Sequence, residues 1–223
     1  MFTKKDIIAM QTKGLKNGQG HLIKITEEME NVANYFADAY IKKHNNEHKT
    51  DNRNLRNRLI TGILGEMAAC EALGYGWKAV DITIGDVWNY THSDLQHIGI
   101  NAGVKTSKLG NFPLLYVDKD EVEIICVVGE KGYIWVAGVA TPSIIKNGCD
   151  DTFVNDKNIL SKNKHMGHHK SAFVDFENLA ELEIIKNGLE KYTLDSGIKR
   201  EASSVSGSPG GNITGDAAGG YRF

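Results

Sequence analysis

The sequence predicts an α+β (mixed α/β) fold, a central mixed sheet flanked by helices, and three observations predict it. The first 75 residues carry two amphipathic helical patterns, and from Gly76 onward the chain turns to short β-like runs. Within those runs Val122 to Val128 is apolar on one face and nearly so on the other, as a central strand is. Helices, then strands, then mixed elements are the order of a single α+β or mixed domain.

Each element has its own reason. Thr26 followed by Glu27 and Glu28 is an N-cap with acids in the first turn, where the helix dipole favours them. Met29, Val32, Ala33, Phe36, Ala37, Tyr40 and Ile41 then recur at helical spacing, and the helix ends near Asn45 and Asn46. A second helix runs from near Asn54 through Leu55, Leu59, Ile63, Met67, Cys70 and Leu73 until Gly74 stops it. The β-like runs are Trp77 to Ile84, the Asp94 region, Ile98 to Thr106, Leu114 to Val117, Val122 to Val128 and Tyr133 to Val139, which predicts a mainly antiparallel sheet of about five strands. Thr141-Pro142 opens a helix, Ala172 to Phe176 reads as a last strand, and Glu177 to Ile185 as a short helix. Residues 196–223 are rich in Gly, Ser and Ala and bury too little to offset their ordering entropy. The expected organisation is therefore one domain over 1–195, with a helical front over 1–75, and a tail over 196–223.

Composition narrows the function. The chain has 223 residues, 41% of them hydrophobic, enough for one real core. With 24% charged residues and a net charge of -2 it lacks the whole-chain basic footprint of a nucleic-acid-binding protein, although a local basic surface can sit on a balanced chain. No run of about 18 apolar residues occurs, and the expectation is a cytoplasmic protein with no membrane association. Cys70, Cys126 and Cys149 are odd in number and widely spaced, which fits reduced packing thiols. No dinucleotide fingerprint, phosphate-binding P-loop or serine-hydrolase elbow is present.

The chemistry centres on three residues. Glu66 falls on one helical stripe with Leu59, Gly62, Cys70 and Leu73, and a carboxylate on an apolar stripe is costly unless paired or bound to a metal. Its bland alternative is a stripe-edge acid reaching solvent. Asp94 closes one short segment and Lys105 the next; on a strand, Asn101, Gly103 and Lys105 share one face. Hard oxygen ligands that hold Mg²⁺ (or Mn²⁺) against a phosphate, with a cation to orient the attacking water, are the parts of metal-assisted phosphodiester hydrolysis. A surface lysine and a turn aspartate are the ordinary reading of the same two residues.

The segments GILGEMAACEAL, HSDL and GVKTS, in that order, resemble the PD-(D/E)XK nuclease superfamily over roughly residues 55 to 140. The resemblance implies a restriction-endonuclease-like core, with Glu66 as the helix acid, Asp94 as a metal ligand and Lys105 as the catalytic lysine; Asp94 and Glu66 would hold the metal. The departure is Gly103, where the family has an acid two residues before the lysine. Three explanations stand. The acid is lost and the protein binds without cutting; the carboxylate has moved to a neighbouring element, Glu121 or Glu123 on the next strand or Asp81 or Asp86 before it; or Glu66, Asp94, water and the Val104 carbonyl suffice for one metal. Loss ranks narrowly first, because Glu123 would have to point inward from a strand read as buried.

His165, His168 and His169 form a dense group, but no Cys or acid stands at zinc spacing, and Lys164, His168, His169 and Lys170 read better as phosphate contacts. The expected function is a Mg²⁺-dependent DNA endonuclease, with a homodimer as an admissible assembly. The alternatives are a catalytically degenerate nuclease-fold protein that binds nucleic acid or a protein partner, and an assembly protein that uses its C-terminal tail.

Overall fold

The computed structural model describes residues 3–44, 52–85, 93–113, 115–116, 121–129, 132–147, 171–172 and 174–187. Helix α1 spans Lys4–Lys16 and opens on a capping box: Thr3 Oγ1 accepts from the Asp6 amide, and Asp6 Oδ2 accepts from the Thr3 amide. Its fully buried positions are Gln11 and Gly14, with Ile7, Ile8 and Met10 half-buried beside them. Gln11 is tied to the turn after Lys108, donating to the Asn111 carbonyl at 3.0 Å and accepting from the Gly110 amide at 2.8 Å. Strand β1, His21–Lys24, follows. Neither element is predicted by the sequence reading.

Helix α2, Glu27–His44, begins where expected, with Thr26 Oγ1 accepting from the Met29 amide, and buries Met29, Ala33, Ala37, Tyr40 and His44 at helical spacing. Helix α3, Asn52–Leu73, packs beside it; Arg56 on α3 clamps Asp38 at 2.7 Å and Asn34 at 2.9 Å on α2. Gly74, with φ 88°, turns the chain in the left-handed region, and the Tyr75 amide returns to the Cys70 carbonyl.

The main sheet has four strands in the order β1-β5-β4-β2, where β2 is Ala102–Lys108, β4 Val122–Val128 and β5 Tyr133–Ala140. The pairings β1 with β5 and β4 with β5 are antiparallel, but β2 and β4 run parallel, so the sheet is mixed, with four strands among the described residues against the about five expected. A second, two-stranded sheet pairs β3, Leu115–Tyr116, with β6, Ser171–Ala172. Helix α4, Pro142–Asn147, starts at the expected proline.

Two apolar clusters cover the two faces of the sheet. One joins Ala102, Val104, Ile124, Cys126 and Val136 to α2 and α3. The other joins Ile125, Val127, Trp135 and Ala137 to Ile145 of α4 and to Phe176. The mixed sheet with helices on both faces agrees with the α+β expectation.

Among the described residues the expected strand over Trp77 to Ile84 is not formed. Trp77–Ala79 is a 3-10 turn, and Val80 and Ile82 after it lean on the α3 cluster without pairing. Alternation reports which side chains are buried, not whether a strand lies alongside. Toward the end, Phe176–Asn178 is another 3-10 turn, and the helical turn lies at 183–187, later than predicted. The tail 196–223, Cys149, Asp86, and the cluster of Lys164, His165, His168, His169 and Lys170 lie outside the described residues.

Candidate active site

Strand β2 is an edge strand, and its outer side is covered by the loop that precedes it. Asp94 sits in a turn, not at a strand end, just before a 3-10 turn over Gln96–Ile98. Its Oδ2 accepts from the Val104 amide at 2.6 Å, while the Leu95 amide donates to the Ala102 carbonyl. Ser93 Oγ donates to Asn101 Oδ1 at 2.8 Å and closes the loop. This satisfies backbone groups that an edge strand would otherwise present to another chain. Asp94 therefore has a structural duty whether or not it also serves chemistry.

Gly65 lets α3 come down onto β2: a Cβ there would stand 2.8 Å from Thr106 Cβ. The close approach brings the next residue, Glu66, to the same edge. Glu66 is part-buried, and its carboxyl is pushed from 4.5 up to about 8, chiefly by burial and next by the negative charge of Asp94. Asp81 adds to the rise, and the Lys105 ammonium offsets part of it. Glu66, Asp94 and Lys105 are thus brought within one electrostatic neighbourhood. At neutral pH Glu66 holds its proton. Cys70 and Cys126, buried and without a disulfide, have thiols pushed up by burial and by Glu66, which leaves them inert packing groups.

On the other side of β2 the geometry bears on Gly103. Parallel pairing places Gly103 beside Glu123, and Lys105 beside Ile125. Glu123 does point inward, with its residue 1% exposed, and its carboxylate lies where a side chain at 103 would be: a Cβ on Gly103 would stand 3.0 Å from Glu123 Cδ, and closer still to Oε2. Lys105 Nζ is 3.4 Å from Glu123 Oε1. The objection that ranked loss ahead of relocation is therefore removed. Glu121 is half-buried at the start of the same strand segment, and Asp81 remains in the α3-side loop.

The constellation is also divided. Gly103, Lys105 and Glu123 share the sheet face opposite α3, whereas Glu66 comes from α3 itself. Strand alternation fixed which residues share a face; the helix choosing the other face could not be read from it. Lys105, 28% exposed on the edge strand, is the residue whose charge acts on both sides. Among the described residues no three His, Cys, Asp or Glu side chains form a ready metal-binding group. The donor chemistry of Glu66 and Asp94 nevertheless suits a hard divalent cation, because a cation there would offset the cost that burial and the Asp94 charge add to ionising Glu66.

A feature the sequence reading missed lies next along the edge. A cleft of about 440 Å³ opens between the first turns of α3 and the end of β2, lined by Arg58, Thr61, Gly62, Thr106 and Lys108. Its signal was present in Arg58, Thr61, Gly62 and Glu66 at helical spacing.

Comparison of the chain with protein-family models, with curated proteins and with solved structures finds no match. Among the described residues no helix is long and apolar enough to cross a membrane.

Proposed function

We propose that the protein is a metal-dependent phosphodiester hydrolase acting on DNA, a PD-(D/E)XK-like nuclease whose signature acid is supplied by Glu123 in place of residue 103. The observation that carries this reading is the Glu123 carboxylate in the space of the missing side chain, ion-paired with Lys105 at 3.4 Å. Asp94 and Glu66 would hold Mg²⁺ or Mn²⁺, which supplies charge neutralisation at the phosphate and an acidified water. Lys105 is held by Glu123 at the strand edge, where its ammonium can orient a water and meet charge developing on phosphate oxygens. Asp94 is anchored at the edge through its Oδ2, which accepts from the Val104 amide at 2.6 Å.

Plasmid cleavage with Mg²⁺ or Mn²⁺ tests the reading. Wild-type protein is expected to cut, and Glu123→Ala and Lys105→Ala to lose activity by at least ~100-fold. Gly103→Glu combined with Glu123→Ala is expected to recover part of it, because the new carboxylate fills the vacated space. A wild type that binds DNA without cutting under either metal would leave the degenerate reading. Equal activity of wild type and Glu123→Ala would refute the relocation.

A further inference from the structure

We infer that the cleft between α3 and the end of β2 is a subsite for the phosphodiester backbone of the bound DNA strand, one step along from the position to be cut; this rests on the nuclease reading for its register, though not for its chemistry. The cleft's volume of about 440 Å³ lies in the range of small-ligand sites, roughly 300–1,000 Å³, and suits one nucleotide unit. Its lining contains two cations, hydroxyls and side-chain amides, and no carboxylate. That set accepts an anion flanked by hydrogen-bonding groups.

Charge accounting on α3 separates this surface from ordinary helix decoration. Arg56 is consumed by Asp38 and Asn34 in holding α2 to α3. Arg58, two residues on and on a different face, is exposed and has no carboxylate partner among the described residues; Lys108 across the cleft is likewise exposed and unpaired. Gly62 leaves open space, since a Cβ there meets nothing within 4 Å. Gly62 in the cleft and Glu66 at the candidate active site are one helical turn apart on the same stripe of α3, about 6 Å along the axis. That distance is comparable with the repeat of a nucleic-acid backbone, so a phosphate seated over Gly62, within reach of the Arg58 and Lys108 side chains, places its neighbour toward Glu66.

The test is fluorescence anisotropy of a labelled 20-mer DNA, single-stranded and annealed, in EDTA so that cleavage plays no part. Arg58→Gln with Lys108→Gln is expected to weaken binding by about tenfold per lost cation. The slope of log K against log salt should fall by about 0.7 per lost contact on a single strand, or 0.9 on a duplex. Gly62→Glu is expected to weaken binding further while melting no lower than wild type, because it replaces a helix-interior glycine; Gly62→Gln separates bulk from charge. Wild-type affinity and salt slope in the Arg58/Lys108 double variant would overturn the subsite. So would an effect on inorganic phosphate binding with none on the 20-mer, which would mark a small-anion site. Loss of binding in these variants, with no cleavage by wild type, would uphold the subsite and sink the nuclease reading; cleavage with unaltered binding would do the reverse.

Discussion

Replacing Glu66 by Gln should convert the pH dependence of folding. The carboxyl is raised from 4.5 to about 8 in the folded protein, a shift equivalent to about 5 kcal/mol when fully expressed. Between those values the folded state holds a proton that the unfolded chain has released, so stability is greatest below pH 4.5 and falls as pH rises toward 8. Gln keeps the shape of the protonated acid and does not titrate. Relative to Glu66→Gln, wild-type protein should therefore lose about 3 kcal/mol between pH 5 and pH 8, read from urea unfolding at constant ionic strength. Added Mg²⁺ should restore stability to wild type at pH 8, by about 2.7 kcal/mol at one hundred times its dissociation constant, and leave Glu66→Gln unchanged. Parallel pH profiles for the two proteins would refute both the burial of Glu66 and its coupling to Asp94.

Other expectations follow from the same edge. Gly62→Ala should stabilise α3 by about 1 kcal/mol, whereas Gly65→Ala, three residues on, should destabilise by about 1–3 kcal/mol because its Cβ meets Thr106; thermal melts of the pair check the opposite signs. Lys105→Met leaves the Glu123 charge buried and should cost about 2–3 kcal/mol, discounted for the part-exposure of Lys105, and more than Glu123→Gln does in the same denaturation assay. Asp94→Asn keeps an acceptor for the Val104 amide and should fold normally, while lowering the Glu66 titration point seen by carboxyl NMR; Asp94→Ala should instead lose about 1–2 kcal/mol.

Much of the frame was legible in the chain itself. Thr26 with its following acids, the apolar spacing of α2 and α3, the stop at Gly74, and the apolar runs of β4 and β5 all carry their structure locally, through capping, amphipathicity and β-branched burial. Helix α1 carried a local signal in its Thr3–Asp6 capping box and went unpredicted, while the places of its buried Gln11 and Gly14 are set by Asn111, Gly110 and Trp135 far along the chain. The run from Trp77 to Ile84 misled because its apolar side chains find α3 in place of a strand.

For the candidate site, sequence by itself determined the residue types and their faces: Glu66 on a helical stripe, Lys105 and Gly103 on one side of a strand, and Glu123 alternating with apolar neighbours. Only the tertiary structure decided that β2 and β4 are parallel, which sets Glu123 directly beside Gly103, and that α3 lies on the opposite face of the sheet. The reason is physical. Alternation and helical periodicity are properties of a few neighbouring residues, whereas strand direction, register and the side on which a helix packs are set by contacts distant in sequence.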